Sequence, residues 1–192
     1  MENYKKNLDL LTKNHVYSKE MEHDACGVGL IASTEGKKSR AIVEYGVEAL
    51  KAVWHRGAVD ADGKTGDGAG IHVEIPKDFF IEKIEVTGHS YDNSEICVGM
   101  IFLPRNDYSA QESCKTIVES ELTKNNFSIY GWRQVPVNPK VLGEKALQTM
   151  PEIIQVLFKS NDLNLLDKNL ERKIYETRKK IENKAFDASL NN

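Results

Sequence analysis

The stretch CGVGLIASTEGKKSRAIVEYGVEALKAVWHRGAVDADGKTGDGAG, residues 26–70, carries most of the information about this chain. Its first seven residues, 26–32, form a short apolar run with two glycines, which is typical of a buried strand. Ser39 then precedes apolar residues at helical spacing up to Trp54, which predicts a capped amphipathic helix. A loop rich in glycine and aspartate follows, and residues 71–75 alternate like a strand.

The remainder of the chain predicts further strands and helices in mixed order. Apolar runs predict strands at residues 96–104, 127–135 and 153–158. Apolar residues at helical spacing predict amphipathic helices at residues 107–126 and 164–183. Because the order shows no regular strand–helix–strand alternation, we expect an α+β fold with antiparallel pairing.

Composition narrows the class of protein. The 192 residues are 40% hydrophobic and 29% charged, which is enough apolar material for a core. The net charge of −3 excludes the strongly basic character of most nucleic-acid binders. Neither a bilayer-spanning apolar run nor a signal-peptide core is present in the sequence. We therefore expect a cytoplasmic location, with neither nucleic acid nor membrane as a partner.

Cys26 is the cysteine whose surroundings favour chemistry. The three cysteines are too scattered for a disulfide framework, so each is expected as a free thiol. Cleavage between Ala25 and Cys26 would give Cys26 a free α-amino group with a pKa of about 7.7–8.0, able to act as base for its own thiol. Gly27 would leave space beside the sulfur. A Cys-Gly pair alone equally fits a small buried core thiol.

Other ligand sites are weakly supported. Residues 58–65 partly match a phosphate-binding loop, but a helix precedes them where a strand is needed, and Asp60 and Asp62 would repel phosphate. His23 and Cys26 have a spacing seen in zinc sites, yet a second close ligand pair is missing from the sequence. We expect neither a nucleotide nor a metal site.

The order of the motifs resembles the type-2 glutamine amidotransferases, and among them the large subunits of glutamate synthases. The likeness includes CGVGLIAS, a helix ending in WHRGA, and TGDGAG. It continues with GWRQVPVNPKVLG at residues 131–143 and ERKIYETRKKIE at residues 171–182. The resemblance implies an α+β fold of the N-terminal-nucleophile αββα sandwich type, incomplete in this chain. It also implies that residues 1–25 are a leader and residues 26–192 the N-terminal portion of the amidotransferase domain.

The same resemblance implies a set of site residues. Cys26 corresponds to the nucleophile, and Gly27, His55, Arg56 and Gly57 correspond to the supporting pocket. A guanidinium close to the thiol would favour the thiolate. Without the resemblance, Arg56 would be interpreted as a cation at the C-terminal end of a helix. The loop at residues 65–70 is expected near the same pocket.

The reaction implied is hydrolysis of the side-chain amide of L-glutamine through a thioester. The ammonia would pass to a flavin-containing synthase domain, where it is used with 2-oxoglutarate to make glutamate. That part of the family's enzyme carries FMN and an iron–sulfur cluster and takes electrons from a reductant-supplying subunit or ferredoxin. The ligands of those cofactors are expected outside this chain, so no cofactor is assigned to it.

One departure from the family's pattern concerns the oxyanion hole. The family uses an Asn-Gly pair for this purpose, and the chain contains no such dipeptide. The arginine and aspartate that grip the substrate are expected after residues 171–182. We therefore expect a truncated domain that is inactive when isolated. Against the glutaminase portion of a glutamate synthase, which the resemblance implies, two alternatives stay open: a non-catalytic truncated fragment that lacks the oxyanion hole and the clamp for the substrate carboxylate, and an N-terminal-nucleophile hydrolase acting on another amide.

Overall fold

The computed structural model describes residues 6, 27–66, 68–162 and 168–188. The chain divides into two compact units. One consists of Met1–Val59 with Gly66–Ile71, and the other of Asp60–Thr65 with His72–Asn192. Cys26 and the predicted leader, apart from Lys6, lie outside the described residues.

The second unit is built on a three-stranded antiparallel sheet. Its strands are β1, Cys97–Leu103, β2, Phe127–Gln134, and β3, Glu152–Ser160, in the spatial order β1-β3-β2. Both outer strands are antiparallel to β3, so they run parallel to each other with β3 inserted between them. The strands predicted in this half of the chain and the expected antiparallel α+β arrangement are confirmed.

Five α-helices are described. They are α1, Arg40–Ala52, α2, Lys77–Val86, α3, Tyr108–Lys124, α4, Glu144–Gln148, and α5, Lys168–Asp187. The predicted helices correspond to α1, α3 and α5, although residues 163–167 lie outside the described residues. As predicted, Ser39 caps α1, accepting the Ile42 N–H at 3.4 Å. None of the helices in the described part of the chain is long and apolar enough to cross a membrane.

The main core lies on the face of the sheet that packs against α3 and α5. Its buried residues come from all three strands and both helices: Cys97, Val118, Leu122, Phe127, Val156, Phe158 and Leu170. The rings of Phe127 and Phe158 meet edge to face with centroids 5.3 Å apart, a favoured aromatic geometry. Burying an apolar side chain of this size contributes about 1.5–3 kcal/mol, so this face supplies much of the unit's stability.

The opposite face of the sheet packs against α2. Phe80 and Ile84 of α2 are buried with Ile96, Tyr130 and Leu157. Leu157 lies on this face because successive strand residues point to opposite faces, and Val156 and Phe158 occupy the other one. The sequence did not predict α2, which is only 10 residues long and has two buried positions.

A bulge in β2 joins the sheet to the end of α2. The register of β2 on β3 shifts between Ile129 and Gly131, and Gly131 has a φ of +146°, a conformation open almost only to glycine. The Thr87 hydroxyl donates to the Tyr130 carbonyl at 2.7 Å. A Cβ at Gly131 would lie 2.8 Å from Thr87 Cγ2, so the glycine also allows the close approach.

A nearly buried carboxylate joins α3 to α5. The Glu121 side chain is 5% exposed and pairs with Lys184 of α5 and, at 3.4 Å, with Lys124. Lys180 donates to the Asn125 side chain at 2.7 Å beside it. These contacts hold the C-terminal half of α5 against the end of α3.

The described residues of the first unit are more exposed than those of the second. All of α1 lies within the described part of the chain, and none of its residues is buried. The strands predicted at residues 26–32 and 71–75 are wrong for the described residues 27–32 and 71–75, which have no strand conformation. Val28 is 91% and Leu30 89% exposed, because an apolar run becomes a strand only where a neighbouring strand offers ladder hydrogen bonds.

Candidate functional site

The predicted nucleophile and its neighbour lie at the border of the described chain. Cys26 falls outside the described residues, and Gly27 is exposed in a segment without regular structure. Among the described residues, Gly27 makes no hydrogen bond with His55 or Gly57. Within the described part of the chain, Gly27 is therefore not hydrogen-bonded to these two residues of the predicted pocket.

The predicted His-Arg-Gly motif forms a tight turn after α1. Trp54–Arg56 make one turn of 3-10 helix, and the N–H of Gly57 donates to the Trp54 carbonyl at 3.0 Å. His55 Nδ1 lies 3.1 Å from the carbonyl oxygen of Ala52. Because a carbonyl only accepts, Nδ1 carries the proton of this bond, and Nε2 of neutral His55 is left as an acceptor.

The loop that follows is folded into a compact turn. Val59 and Gly66 form an antiparallel bridge, and the N–H of Asp60 donates to the Thr65 carbonyl at 2.7 Å. Gly63 has a φ of +68°, which suits glycine at the tip of a tight turn. A loop rich in glycine and aspartate was predicted here, and the structure shows that it has a defined internal geometry.

The Asp62 carboxylate organises this turn. It accepts the Thr65 hydroxyl at 2.5 Å, the Thr65 N–H at 2.7 Å and the Lys64 N–H at 2.9 Å. The hydrogen bond from the Thr65 hydroxyl, followed by those from the backbone, holds the pKa of Asp62 well below its usual range. Asp62 is therefore a carboxylate at neutral pH, as its role as an acceptor requires.

The two described cysteines are poor nucleophiles. Cys97 is 5% exposed in the main core, and burial raises the pKa of its thiol to about 12, with Glu95 and Glu171 adding to the effect. Burial also raises the pKa of the Cys114 thiol on α3. Since the thiolate is the reactive form, neither group is activated at neutral pH. Of the chain's three cysteines, Cys26 is the one that these findings leave open.

The two described cysteines lie in different settings and are not grouped as cluster ligands. An iron–sulfur cluster needs several cysteine thiolates together, whereas Cys97 is buried in the core and Cys114 lies on α3. Within the described ranges, no group of three or more His, Cys, Asp or Glu side chains is arranged to hold a metal ion. A groove of about 220 Å³ beside Trp132, Arg133 and Lys115 is smaller than usual ligand pockets, and too small for a flavin.

Comparison with known proteins identifies relatives over nearly the whole chain. The family of class-II glutamine amidotransferases matches residues 26–192. The chain is 51% identical over 179 residues to the glutamate synthase (NADPH) large chain of Azospirillum brasilense. That alignment covers 93% of this chain and 12% of the relative.

Two further relatives are ferredoxin-dependent glutamate synthases. The Pyropia yezoensis protein is 40% identical over 174 residues, which cover 90% of this chain and 11% of the relative. The Arabidopsis thaliana ferredoxin-dependent glutamate synthase 1 is 40% identical over 162 residues, which cover 84% of this chain and 10% of the relative. The chain thus spans about a tenth of the length of these curated relatives.

The resemblance drawn from the motifs is confirmed by these matches. The match to the family begins at Cys26 and continues through α1, the three-stranded sheet and α5. The chain therefore belongs to the class-II glutamine amidotransferases.

Proposed function

We propose that this chain is the glutaminase portion of a glutamate synthase and that it hydrolyses L-glutamine through a thioester on Cys26. The observation that carries the proposal is the family match that begins at Cys26, together with 51% identity to a glutamate synthase large chain. The raised pKa values of the Cys97 and Cys114 thiols support it, because they leave Cys26 as the available nucleophile.

The proposed fold and processing follow the family. Residues 1–25 act as a leader and residues 26–192 form the N-terminal portion of an αββα sandwich of the N-terminal-nucleophile type. Cleavage before Cys26 releases its α-amino group, which takes the proton of the Cys26 thiol. The thiolate attacks the amide carbon of glutamine, and the carbon–nitrogen bond breaks as the nitrogen takes a proton and leaves as ammonia. Water then attacks the thioester, which restores the thiol and releases glutamate.

The four supporting residues have separate roles in this proposal. The Arg56 guanidinium favours the thiolate by its charge, and Gly27 leaves room for the substrate beside the sulfur. Gly57 closes the turn after α1 through its bond to the Trp54 carbonyl, and His55 fixes the turn to α1 through Nδ1. Through these two hydrogen bonds, Gly57 and His55 hold the backbone of Arg56 in one conformation.

The products imply partners outside this chain. Ammonia passes to a flavin-containing synthase domain, which makes glutamate from 2-oxoglutarate. The relatives are named for NADPH or ferredoxin, so the reductant is supplied by a subunit that uses NADPH or by ferredoxin. FMN and the iron–sulfur cluster belong to that partner domain, and the expected location remains cytoplasmic.

The test is covalent labelling of the natural full-length protein with the glutamine analogue 6-diazo-5-oxo-L-norleucine. Intact mass and peptide mapping report the N-terminus and the labelled residue together. We expect a chain that begins at Cys26 and carries one label on that sulfur. A protein that is folded, remains unlabelled and shows no ammonia release from glutamine would contradict the proposal.

Two variants and one shortened chain complete this experiment. Cys26→Ser should abolish labelling, whereas Cys114→Ser should leave it unchanged. The 192-residue chain expressed alone is expected to label weakly, since loss of a single oxyanion-hole donor costs on the order of 10²–10³ in rate. Equal labelling of both forms would contradict the expectation that the isolated chain is inactive.

A further inference from the structure

Gly143 lies directly against the turn formed by residues 60–65. A Cβ at Gly143 would clash with the Thr65 hydroxyl oxygen, the Asp62 carboxylate and, at 2.5 Å, the backbone nitrogen of Thr65. The φ of Gly143 is −72°, an ordinary value for any residue. Glycine is therefore needed at position 143 for the close approach, and its conformational freedom is not used.

The residues that follow Gly143 also hold the turn. Lys145 Nζ lies 2.6 Å from Asp60 Oδ2, across 85 residues of sequence. The backbone N–H of Glu144 is a further donor to the Asp62 carboxylate and helps to lower its pKa. Gly143, Glu144 and Lys145 thus contact the turn through shape, a backbone donor and a charge. We name this set of contacts between residues 60–65 and residues 143–145 the clasp.

We propose that Asp62 and Gly143 are positioning residues of the glutaminase site, because the clasp fixes the loop that connects the His-Arg-Gly turn to the glycine-rich segment at residues 66–70. This inference rests on the proposed function. Asp60 is three residues beyond Gly57, and Thr65 directly precedes Gly66. A turn that is held in place restricts both of these neighbouring segments through the chain.

The glycine content of residues 63–70 explains why this loop needs the clasp. Residues 63–70 contain four glycines, and Gly63 and Gly68 have positive φ values of +68° and +91°. Glycine loses more conformational freedom on ordering than other residues, so this segment needs outside contacts to stay in one conformation. A displacement of about 1 Å in groups around a reacting centre can cost on the order of a hundredfold in rate.

The first measurement tests the clasp without any reaction. The turn contains Lys64, and trypsin cleaves after lysine only where the backbone opens locally. Gly143→Ala and Asp62→Ala should each increase the rate of cleavage after Lys64 in the native full-length protein about tenfold, as expected for the loss of the clasp's hydrogen bonds. Asp62→Asn retains one acceptor oxygen and should give an intermediate rate.

The second measurement tests positioning. In both alanine variants, labelling of Cys26 by 6-diazo-5-oxo-L-norleucine should slow tenfold or more, whereas labelling by iodoacetamide should change less than twofold. Iodoacetamide needs only an accessible thiolate, so a split between the reagents indicates misplaced substrate contacts. The Gly143→Ala/Asp62→Ala double variant should be no slower than the slower single variant, because both changes break the same clasp.

Two controls separate the clasp from general effects. Glu144→Ala removes a neighbouring side chain but keeps the backbone N–H that faces Asp62, and Asp78→Ala removes an exposed carboxylate from α2. Both should match the unmodified protein in cleavage after Lys64 and in labelling.

Failure of the positioning role and failure of the proposed function are distinguishable. Unchanged cleavage after Lys64 in the variants, or equal slowing with both reagents, would overturn the positioning role. If the unmodified protein is not labelled by the glutamine analogue, the proposed function fails and the positioning role fails with it. Even then, the cleavage rates alone still report whether the clasp holds the turn.

Discussion

Leu157 and Leu30 show how differently the two units of this chain use the same side chain. Leu157 lies on the central strand and is 0% exposed, whereas Leu30 follows Cys26 by four residues and is 89% exposed. Around Leu157 the strands, α2, α3 and α5 cover both faces of a sheet. Around Leu30 the described chain has an apolar sequence pattern but no strand and no ladder of hydrogen bonds. An apolar pattern stabilises a fold only where a neighbouring surface removes it from water.

The comparison separates stability from chemistry. The buried residues of the described chain belong to the second unit, while the residues proposed to carry the reaction, Cys26, His55 and Arg56, belong to the first. Truncation of buried side chains in the second unit should therefore lower the free energy of unfolding, and truncation of exposed side chains in the first unit should change it little.

The largest effect is expected from the matched pair Leu157→Ala and Leu30→Ala. Leu157→Ala leaves a cavity in a closely packed core and should lower the free energy of unfolding by about 2–5 kcal/mol. Leu30→Ala removes the same atoms from an exposed position and should change it by less than about 0.5 kcal/mol. Urea unfolding followed by circular dichroism measures both. Equal destabilisation by the two substitutions would show that residue 30 is buried in solution, and the comparison would fail.

A second pair replaces one glycine of positive φ in each unit by alanine. Gly131→Ala combines a strained φ with a clash against Thr87 and should cost about 2–4 kcal/mol. Gly36 has a φ of +66°, and a Cβ built there meets nothing within 4 Å. Gly36→Ala should therefore cost only about 1–2 kcal/mol, the backbone strain alone.

The same unfolding assay distinguishes clash from strain. Thr87→Ser removes the methyl group nearest to position 131, so it should recover part of the loss in the Gly131→Ala background. It should recover nothing in the Gly36→Ala background. A Gly131→Ala protein as stable as the parent would contradict the bulge geometry.

A third comparison removes one ion pair from each unit and is expected to give the smallest change in the free energy of unfolding. The hydrogen bond from Lys184 lowers the pKa of Glu121 below its ordinary value of 4.5. A carboxylate with a lowered folded-state pKa stabilises the fold above its ordinary pKa, and this stabilisation is lost as the pH falls through the folded-state value. Glu121→Gln should cost about 1–2 kcal/mol at pH 7, because Glu121 is buried while its lysine partners are half exposed. The difference should shrink towards pH 3.

Glu48→Gln in α1 is the control for this pair. Glu48 pairs with Lys51 at 2.9 Å with both side chains about two-thirds exposed, so its loss should change the free energy of unfolding by less than about 0.5 kcal/mol at any pH. Urea unfolding at pH 7, 5 and 3 measures both variants. A pH-independent loss for Glu121→Gln would mean that the effect comes from packing.

The elements that sequence predicted correctly are those with local signals. The apolar runs that became β1, β2 and β3 are long enough to be recognised, and α3 has apolar residues at helical spacing, of which Val118 and Leu122 are buried. The cap of α1 by Ser39 is a contact between near neighbours, so it also follows from the sequence. Family membership was predictable because five motifs occur in the right order along the chain.

The errors concern contacts that sequence does not encode locally. Residues 27–32 and 71–75 have the composition of strands, but the partner that would supply ladder hydrogen bonds is not a property of the segment itself. The helix α2 was missed because it directly follows Pro76 and covers less than three turns. The clasp was missed because Asp60 and Lys145 meet across 85 residues.

The strand order β1-β3-β2 has a consequence for synthesis on the ribosome. The two outer strands leave the ribosome before β3, yet each pairs only with β3 within the sheet. About 50 residues separate Leu103 from Glu152, which corresponds to about 2–10 s at usual rates of translation. β1 is unpaired throughout this interval, and β2 is also unpaired for its last 17 residues, between Gln134 and Glu152, so the nascent chain exposes unpaired apolar strands to which chaperones can bind. The sheet then closes in a single step, when the last strand emerges and takes the place between them.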